Sequence, residues 1–508
     1  MSTDGHDGEA RSSTLDLPRG ELEELGRAFG RLALEYLSEP EALPVFPETS
    51  AEKLKGLFGG GLPEEGAGLE ALTLACAEVF RQSRQNGHPR MYGYVASPAT
   101  PVGAFASLAA AALNSNVTSW RSAPGPTEVE RTAVRWLAEL IGFKGEGLNE
   151  HCGGLLTSGG SMANLNALFV AHRAYAHDAS RRGLWGDPAP ATLYASDQVH
   201  LSIPKAADVL GFGREQVRVV PSDERFRADV RHLRERVEAD LRAGFRPFCV
   251  VASAGTVSTG AVDPLGEVAR VAREHSLWFH VDGAYGALAA GTNAKRALFE
   301  GIEEADSVSL DPHKWLYTPL GAGCLLFREP ERARAAFAGT EEGYIKVFER
   351  EEAEAFAFWD YGTELSRPFR ALKVWATLSY YGARRVSAAI EEDCATASYM
   401  AERVNASEDF ELLAPPTLGI CCFRYVPASA RPELEDEGRR EELNARLDSL
   451  NERVMHRVQR GGEAYVSNAV LRGRFALRAS ITNYRTTRRD IDLTLEVIRR
   501  AARELAKE

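Results

Sequence analysis

The sequence predicts an α/β protein whose largest domain contains a mostly parallel β-sheet. From about residue 100, short apolar stretches alternate with stretches in which apolar residues recur at helical spacing, which is the pattern of strands joined by helices. After residue 370 long helical stretches dominate and only two short apolar stretches interrupt them. That second pattern is typical of a smaller α+β domain.

Before the alternation begins, the chain is predicted to be helical. Apolar residues at helical spacing predict helices over 21–37 and 69–85, with a Gly-rich break at 58–63 between them. Two helices are too few to form a domain of their own, so we expect them to pack on another part of the protein or on a second subunit. Residues 1–19 are polar and are expected to be a disordered tail.

The remaining elements follow in chain order. Helices are predicted over 102–113, 127–141, 161–174, 265–274, 371–381, 386–404 and from 490 onward. Strands are predicted over 192–195, 217–220, 248–252, 277–281, 307–310, 323–327, 419–425 and 475–481. We place the domain limits at 1–93 for an N-terminal helical segment, 94–373 for the large α/β domain and 374–508 for the small α+β domain.

Composition narrows the class of protein. The 508 residues are 44% apolar and 26% charged, as in ordinary globular proteins, and the formal net charge of -12 argues against binding to nucleic acid or to an anionic membrane. Seven cysteines without Cys-x-x-Cys spacing indicate neither a disulfide framework nor a zinc site, so no metal is expected. We see no signal peptide and no apolar run of about 20 residues, and we expect a cytoplasmic protein.

Lys314 and Asp282 are the centre of a predicted catalytic site. Lys314 comes directly after His313 and shortly after the apolar stretch 307–310, while Asp282 follows the apolar stretch 277–281. Each would therefore lie at the end of a neighbouring strand. A lysine can form a Schiff base with pyridoxal phosphate, and a carboxylate can keep its pyridine nitrogen protonated. For Lys314 taken alone, a solvated surface lysine is the alternative.

Three further motifs could complete a phosphate-cofactor site. Gly160 and Ser161 open a helix, whose N-terminus favours an anion, although an ordinary helix cap uses the same residues. His200 follows a strand and could stack on a flat ring or transfer a proton, with a plain loop histidine as the alternative. Thr256 also follows a strand and could donate to a ring substituent, or belong to a simple turn. The five features together favour the cofactor site.

Six motifs carry a family resemblance. They are His88-Pro89 and the segments 157–164, 196–200, 281–285, 311–315 and 369–375. They resemble the pyridoxal-phosphate-dependent amino-acid decarboxylases, the family of the aromatic-amino-acid, histidine and glutamate decarboxylases, over nearly the whole chain. The resemblance implies the aspartate-aminotransferase-type fold (fold type I) with a seven-stranded sheet, pyridoxal 5'-phosphate as cofactor, and a homodimer with shared active sites.

The resemblance also implies roles around the cofactor ring. Lys314 would be the Schiff-base lysine, and Asp282 would be the partner of the pyridinium nitrogen. His200 would be a base stacked on the ring, and Ala284 would pack on the opposite face.

Other roles concern the phosphate and the substrate. Gly160 and Ser161 would bind the phosphate, with His313 nearby. Tyr344 would return a proton to the α-carbon of the substrate after carbon dioxide leaves, and Arg478 would lie near the substrate carboxylate.

Some positions depart from the family pattern. Members that act on aromatic amino acids have large apolar rings in the segments that hold Tyr94 and Asn116; Tyr94 is kept, but Asn116 and Thr118 are more polar, as in the glutamate-type members. We expect Tyr94, Asn116 and Arg478 to contact the substrate. Asp311 replaces a frequent asparagine, and because a carboxylate would repel the phosphate, we expect it to point elsewhere or to be held by backbone donors.

These features predict an enzyme that decarboxylates an L-amino acid, either aromatic or acidic and polar, to its amine. One alternative is another pyridoxal-phosphate reaction on the same fold, by an aldehyde synthase, a carbon–carbon lyase or an aminotransferase; Tyr344 argues against the first of these. The other is a catalytically silent scaffold protein, against which the intact Lys314, Asp282 and His200 argue. The expected partners are a small-molecule substrate and a second copy of the chain.

Overall fold

The structure, a computed structural model, describes residues 15–145, 153–176, 182–184, 189–337, 354–436 and 438–507. The chain divides into two compact units, residues 1–85 and 86–508. Residues 1–14, most of the predicted tail, lie outside the described residues.

The first unit is helical. It contains α1 (Arg19–Ser38), α2 (Ala51–Phe58) and α3 (Leu69–Arg81). The rings of Tyr36 and Phe80 meet edge to face with their centroids 5.4 Å apart, which joins α1 to α3. The predictions of α1 and α3 are confirmed, whereas α2 was not predicted because eight residues are too few for a helical period to stand out.

The large sheet of the second unit contains seven strands of the described chain. They are β1 (Gly154–Thr157), β2 (Ala191–Ser196), β3 (Val217–Val220), β4 (Arg246–Ser253), β5 (Trp278–Asp282), β6 (Ser307–Leu310) and β7 (Gly323–Phe327). Their order across the sheet is β1-β7-β6-β5-β4-β2-β3. Among these described strands, β7 is antiparallel to the other six, so the predicted mostly parallel sheet is confirmed.

Helices connect and cover these strands. They are α4 (Pro101–Leu113), α5 (Pro124–Ile141), α6 (Gly160–Tyr175), α7 (Ser202–Val209), α8 (Val230–Arg242), α9 (Leu265–Glu274), α10 (Pro312–Trp315) and α11 (Pro330–Phe337). Helix α6 packs on the sheet through Ala163, Ala167 and Val170, which recur at helical spacing and are fully buried. This packing fixes the N-terminus of α6 at the edge of the sheet where the parallel strands end.

The C-terminal part forms a smaller α+β layer. Its elements are α12 (Ala371–Asn405), β8 (Phe410–Ala414), β9 (Ile420–Tyr425), α13 (Arg431–Glu435), α14 (Arg440–Gly461), β10 (Ser467–Leu471), β11 (Arg474–Ser480) and α15 (Arg488–Leu505). The four strands are antiparallel in the order β10-β11-β9-β8. Gly382, at φ 72°, interrupts α12 between the two predicted helices. In the described ranges no helix is long and apolar enough to cross a membrane.

Candidate active site

A cavity of about 870 Å³ lies where the parallel strands of the large sheet end. Most of its lining comes from the ends of β1, β2, β4, β5 and β6 and the residues that follow them, and from β10 and β11 of the small sheet. Tyr94, Val95, Leu320 and Gly321 complete the lining. The predicted site residues that line it are Tyr94, Gly160, Ser161, His200, Thr256, Asp282, Ala284, His313, Lys314 and Arg478. The fold therefore brings together residues that are up to several hundred positions apart in the chain.

Gly160, the first residue of α6, lies in the cavity wall where there is no room for a side chain. A Cβ atom at this position would lie 2.7 Å from the Cβ of Ala284 and 3.1 Å from Oδ2 of Asp311, so a side chain would collide with its neighbours. The first N–H groups of a helix have no carbonyl partner within the helix. Together with the hydroxyl of Ser161, this positive helix end can hold a phosphate group.

Asp282 is the last residue of β5, and three donors orient its carboxylate. Nδ2 of Asn164 donates to Oδ2 over 2.9 Å, while the hydroxyl of Ser309 and the backbone N–H of Ala284 donate to Oδ1 over 3.3 and 3.2 Å. Ser309 is the residue paired with Asp282 in the register of β5 and β6. The parallel pairing of the two strands thus creates one of the contacts that hold the carboxylate.

Asn164 links Asp282 to a buried histidine. Because a carboxylate can only accept, the amide nitrogen of Asn164 faces Asp282, and its Oδ1 accepts from Nε2 of His280 over 3.0 Å. Nδ1 of His280 accepts from the hydroxyl of Ser307 over 2.9 Å, and that hydroxyl accepts from Nε1 of Trp278 over 2.8 Å. Burial lowers the pKa of His280 to about 4, so the ring is neutral, as this bonding pattern requires.

Ser202 extends the same network to His200. Nδ2 of Asn164 also donates to the hydroxyl of Ser202 over 2.9 Å. The hydroxyl and the backbone N–H of Ser202 lie 2.8 and 3.2 Å from Nδ1 of His200. Since both groups donate there, Nδ1 is an acceptor and the ring proton of His200 is on Nε2.

Lys314 forms an ion pair with a buried carboxylate. It lies in α10, directly after β6, and its Nζ is 2.9 Å from Oδ2 of Asp311. The other carboxylate oxygen, Oδ1, has no hydrogen-bond partner among the described residues. The expectation that Asp311 points away from the site or is held by backbone donors is therefore wrong. The reason is the three-residue spacing at the start of α10, which puts the lysine beside the carboxylate.

His313 packs beside the start of α6. Its Nδ1 donates to the carbonyl oxygen of Ala322 over 2.7 Å, and its Nε2 lies 3.6 Å from Oδ2 of Asp311. A Cβ atom on Gly159 would lie 3.5 Å from Cε1 of this ring. Burial lowers the pKa of His313; the Lys314 ammonium adds to this effect and Asp311 opposes it. The lowered pKa favours a neutral ring.

Thr256 belongs to a tight turn after β4, and its side chain lines the cavity. Its hydroxyl accepts from the backbone N–H of Ala261 over 3.1 Å and lies 3.0 Å from the hydroxyl of Thr259. The preceding Gly255 has a φ of 105°, and a Cβ there would lie 2.9 Å from Cδ1 of Tyr285. Thr256 therefore belongs to a turn and also lines the cavity.

Arg478 brings a buried guanidinium to the cavity from β11. Its Nε donates to the carbonyl of Val257 over 2.8 Å and its Nη1 to the carbonyl of Tyr94 over 2.6 Å. Its Nη2 has no acceptor in the part of the chain that the structure describes. Burial lowers the pKa of Arg478, and an anionic ligand would offset the cost of burying this charge. Tyr94 itself is 55% exposed.

Two predicted site residues are not brought into this cavity by the described chain. Asn116 follows α4, and its Oδ1 accepts from the backbone N–H of Arg367 over 2.8 Å. Tyr344 lies outside the described residues. The predicted roles of both residues stay predictions.

Sequence reasoning missed four residues that hold the site in place, namely Asn164, Ser202, His280 and Ser309. The sequence contains a signal for two of these residues. Asn164 lies about one turn after Gly160 on the same helix, and His280 stands two residues before Asp282, on the same face of β5.

Comparison with known proteins identifies the family. Residues 52–426 match the model of the pyridoxal-dependent decarboxylase conserved domain. The chain belongs to the pyridoxal-dependent decarboxylase family. This decarboxylase is therefore a carboxy-lyase that uses pyridoxal phosphate, and the predictions of enzyme class and cofactor are confirmed.

Similar proteins match the decarboxylase along most of its length. The aromatic-L-amino-acid decarboxylase of Bacillus atrophaeus is 33% identical over 496 residues, which are 97% of this chain and 98% of the relative. The cysteine sulfinic acid decarboxylase of Mus musculus is 31% identical over 404 residues, 80% of each chain. The crystal structure of Oryza sativa TDC with PLP and tryptamine has a TM-score of 0.88 at 27% identity, covering 97% of this chain and 100% of that one. The predicted fold type is confirmed.

Proposed function

We propose that this decarboxylase removes the α-carboxylate of an L-amino acid with an uncharged, preferably aromatic, side chain, and releases the amine and carbon dioxide. One observation carries the proposal. The buried guanidinium of Arg478, with Nη2 unpartnered among the described residues, lines the same cavity as Lys314 and Asp282. A guanidinium matches the geometry of carboxylates and phosphates, and the α-carboxylate of an amino acid is such an anion.

The side chains of the cavity fit pyridoxal phosphate. The start of α6 at Gly160 and Ser161 would hold the phosphate, with His313 beside it. Lys314 would hold the cofactor through its amine, and the oriented carboxylate of Asp282 would bind the protonated ring nitrogen.

Three further residues would surround the ring. We propose that His200 and Ala284 pack on its opposite faces, and that Thr256 contacts a ring substituent. All three line the cavity, which supports these roles. The network through Ser202 would keep His200 in one orientation.

Bound pyridoxal phosphate withdraws electrons from the bond that breaks at the α-carbon of the substrate. Arg478 would hold the α-carboxylate and orient it before it leaves as carbon dioxide. His200 holds a proton on Nε2, because its Nδ1 accepts from Ser202. Tyr344 would return a proton to the α-carbon.

The charges of the cavity favour an uncharged substrate side chain. The described residues that line it include one lysine, Lys314, and one arginine, Arg478. Lys314 would serve the cofactor and Arg478 the α-carboxylate. An acidic side chain would need a further cation to replace its hydration. Tyr94 instead offers an aromatic surface.

We also propose that the enzyme is a homodimer in the cytoplasm. Helix α4 exposes Phe105, Leu108 and Leu113, and a second copy of the chain would cover these side chains. The thiols of Cys76, Cys249, Cys394, Cys421 and Cys422 are free, which fits a reducing compartment. Asn116, which follows α4, would then contact the substrate in the site of the partner.

The test is the release of carbon dioxide by the purified enzyme with added cofactor. Tryptophan, tyrosine, phenylalanine, glutamate and cysteine sulfinate are compared, and the products are identified. We expect equal amounts of amine and carbon dioxide from at least one aromatic amino acid. Lys314→Ala should abolish turnover, whereas Lys205→Ala, which removes an exposed lysine on α7, should not change it.

Other products would contradict the proposal. Formation of an aldehyde with peroxide, or of a keto acid, would contradict the proposed decarboxylation to an amine. Turnover of only the two acidic amino acids would overturn the substrate class and leave the reaction in place.

A further inference from the structure

Asp311 brings a negative charge to the place where the cofactor phosphate would bind. Its Oδ2 is 3.1 Å from the position that a Cβ on Gly160 would take, at the positive end of α6. Its side chain is 4% exposed, and its Oδ1 has no partner among the residues with described positions. A carboxylate and a phosphate repel each other strongly in so buried a place. The charge of Asp311 therefore opposes the binding of the phosphate.

The charge of Lys314 opposes the attachment of the cofactor, just as the charge of Asp311 opposes the binding of its phosphate. A lysine that pairs with a carboxylate is an ammonium, and an ammonium has no lone pair with which to attack an aldehyde. Its Nζ is 2.9 Å from Oδ2 of Asp311. His313, whose Nε2 lies 3.6 Å from the same oxygen, has its other ring nitrogen bound to the carbonyl of Ala322. Asp311 is thus placed to accept the proton that Lys314 must lose.

We propose that Asp311 accepts the ammonium proton of Lys314 when the cofactor is loaded. The proton moves from Nζ to Oδ2, so that the amine keeps its electron pair and the carboxylate becomes a neutral acid. One transfer then produces the nucleophile and removes the charge that repels the phosphate, and no other reactant is needed. The resulting O–H group can donate to a phosphate oxygen. The proposal rests on the proposed roles of Lys314 and Gly160.

The test uses cofactor-free enzyme and Asp311→Asn, which keeps the shape of the side chain but cannot accept this proton. Asp306→Asn is the matched control, because Asp306 stands at the opposite end of β6 and pairs with Arg328. Two quantities are measured. One is the equilibrium binding of pyridoxamine 5'-phosphate, which carries the phosphate but cannot attach to lysine. The other is the rate at which pyridoxal phosphate becomes attached to the enzyme, followed by absorbance.

In Asp311→Asn, the affinity for pyridoxamine 5'-phosphate should rise and the rate of pyridoxal phosphate attachment should fall. Asp311→Asn should bind pyridoxamine 5'-phosphate about tenfold more tightly, because the like charge is gone. Its attachment of pyridoxal phosphate should be about 100-fold slower, the usual contribution of a positioned proton acceptor. Asp306→Asn should match the wild type in both. Weaker pyridoxamine phosphate binding by Asp311→Asn, or an unchanged attachment rate, would overturn the proposal.

A second pair of variants covers the case in which Asp311→Asn does not fold. Lys314→Ala leaves Asp311 without its cation and should bind pyridoxamine 5'-phosphate more weakly than the wild type. The double variant Lys314→Ala, Asp311→Asn should recover that binding, and failure to recover it would contradict the proposal. A wild-type enzyme that never attaches pyridoxal phosphate would contradict the proposed function instead.

Discussion

Burial decides what the charged side chains of the cavity can do. Arg478 and Asp311 are each 3% exposed, and each has one polar atom without a partner among the described residues. A charge that leaves water is costly unless an opposite charge or a hydrogen bond replaces the water. For each residue a ligand would offset the cost of burying the charge. An anion would do so for Arg478, and a proton would do so for Asp311.

At the scale of single residues, we predict that Arg478→Lys weakens substrate binding by about tenfold to 100-fold, the range of one charge-assisted hydrogen bond. Lysine keeps the charge but loses the Nη2 group that would reach the carboxylate. The measurement compares inhibition by a non-reactive amino acid analogue with inhibition by the product amine. Only the analogue has a carboxylate, so only its inhibition constant should rise.

The control for this prediction is Arg474→Lys, because Arg474 lies on the same strand and pairs with Glu411 outside the cavity. It should leave both inhibition constants unchanged. If Arg478→Lys weakened the amine and the amino acid analogue equally, Arg478 would only support the backbone at Tyr94 and Val257.

At the scale of secondary structure, two packed elements orient Asp282. Helix α6 brings Asn164 against the end of β5, and the parallel pairing of β5 with β6 brings Ser309 to the same carboxylate. The chain of donors from Trp278 through Ser307 and His280 gives Asn164 one fixed orientation. The position of the proposed cofactor partner thus depends on a helix and two strands together.

We predict that Asn164→Asp lowers the cofactor affinity and the turnover number by about tenfold to 100-fold, as found for residues that orient metal ligands. The substitution would put a second carboxylate 2.9 Å from Asp282 and remove the donor to Ser202. Like charges at this distance force one carboxylate to hold a proton. Cofactor titration and steady-state kinetics would measure the effect.

Asn166→Asp is the matched control on the same helix. Its Oδ1 accepts from the hydroxyl of Thr363 over 3.2 Å, a role that a carboxylate can keep. A loss of the same size in both variants would mean that charge in α6, and not the orientation of Asp282, explains the effect.

The elements that the sequence predicted share a strong local pattern. Strands β2 to β7 were predicted to within two residues because most of them are short apolar runs in the core. Strands β1 and β8 and helices α7, α8, α10, α11, α13 and α14 were not predicted. Strand β10 was also missed because it alternates buried and exposed residues and contains Ser467 and Asn468, so it lacks an apolar run. Its pairing with β11 supplies the stability that its own residues do not.

At the scale of the whole molecule, the apolar face of α4 is one of the surfaces that the described chain leaves uncovered. Phe105, Leu108 and Leu113 are 41, 65 and 59% exposed. The helix leads directly into the segment that contains Asn116. Covering this face with a second copy would therefore also place the segment of Asn116 at a subunit boundary.

We predict that the enzyme sediments as a dimer and that Leu108→Asp shifts it to a monomer with reduced turnover. A buried charge at an interface is costly, and the shared contacts of the site would be lost with the partner. Analytical ultracentrifugation and activity at matched concentrations would measure both effects. The control variant Leu241→Asp, on α8, should remain a dimer. A monomeric wild-type enzyme would contradict the prediction.

Local patterns in the sequence determined the alternation of strands and helices and the positions of Asp282 and Lys314 after neighbouring strands. Apolar runs and glycine-rich turns encode these features over a few residues. Only the tertiary structure decided which polar side chains serve the site. Asn164 and Asp282 are 118 positions apart, yet a hydrogen bond joins them. The ion pair of Asp311 with Lys314 and the unpartnered Nη2 of Arg478 depend likewise on burial. Burial arises when distant elements pack together, and no local pattern contains it.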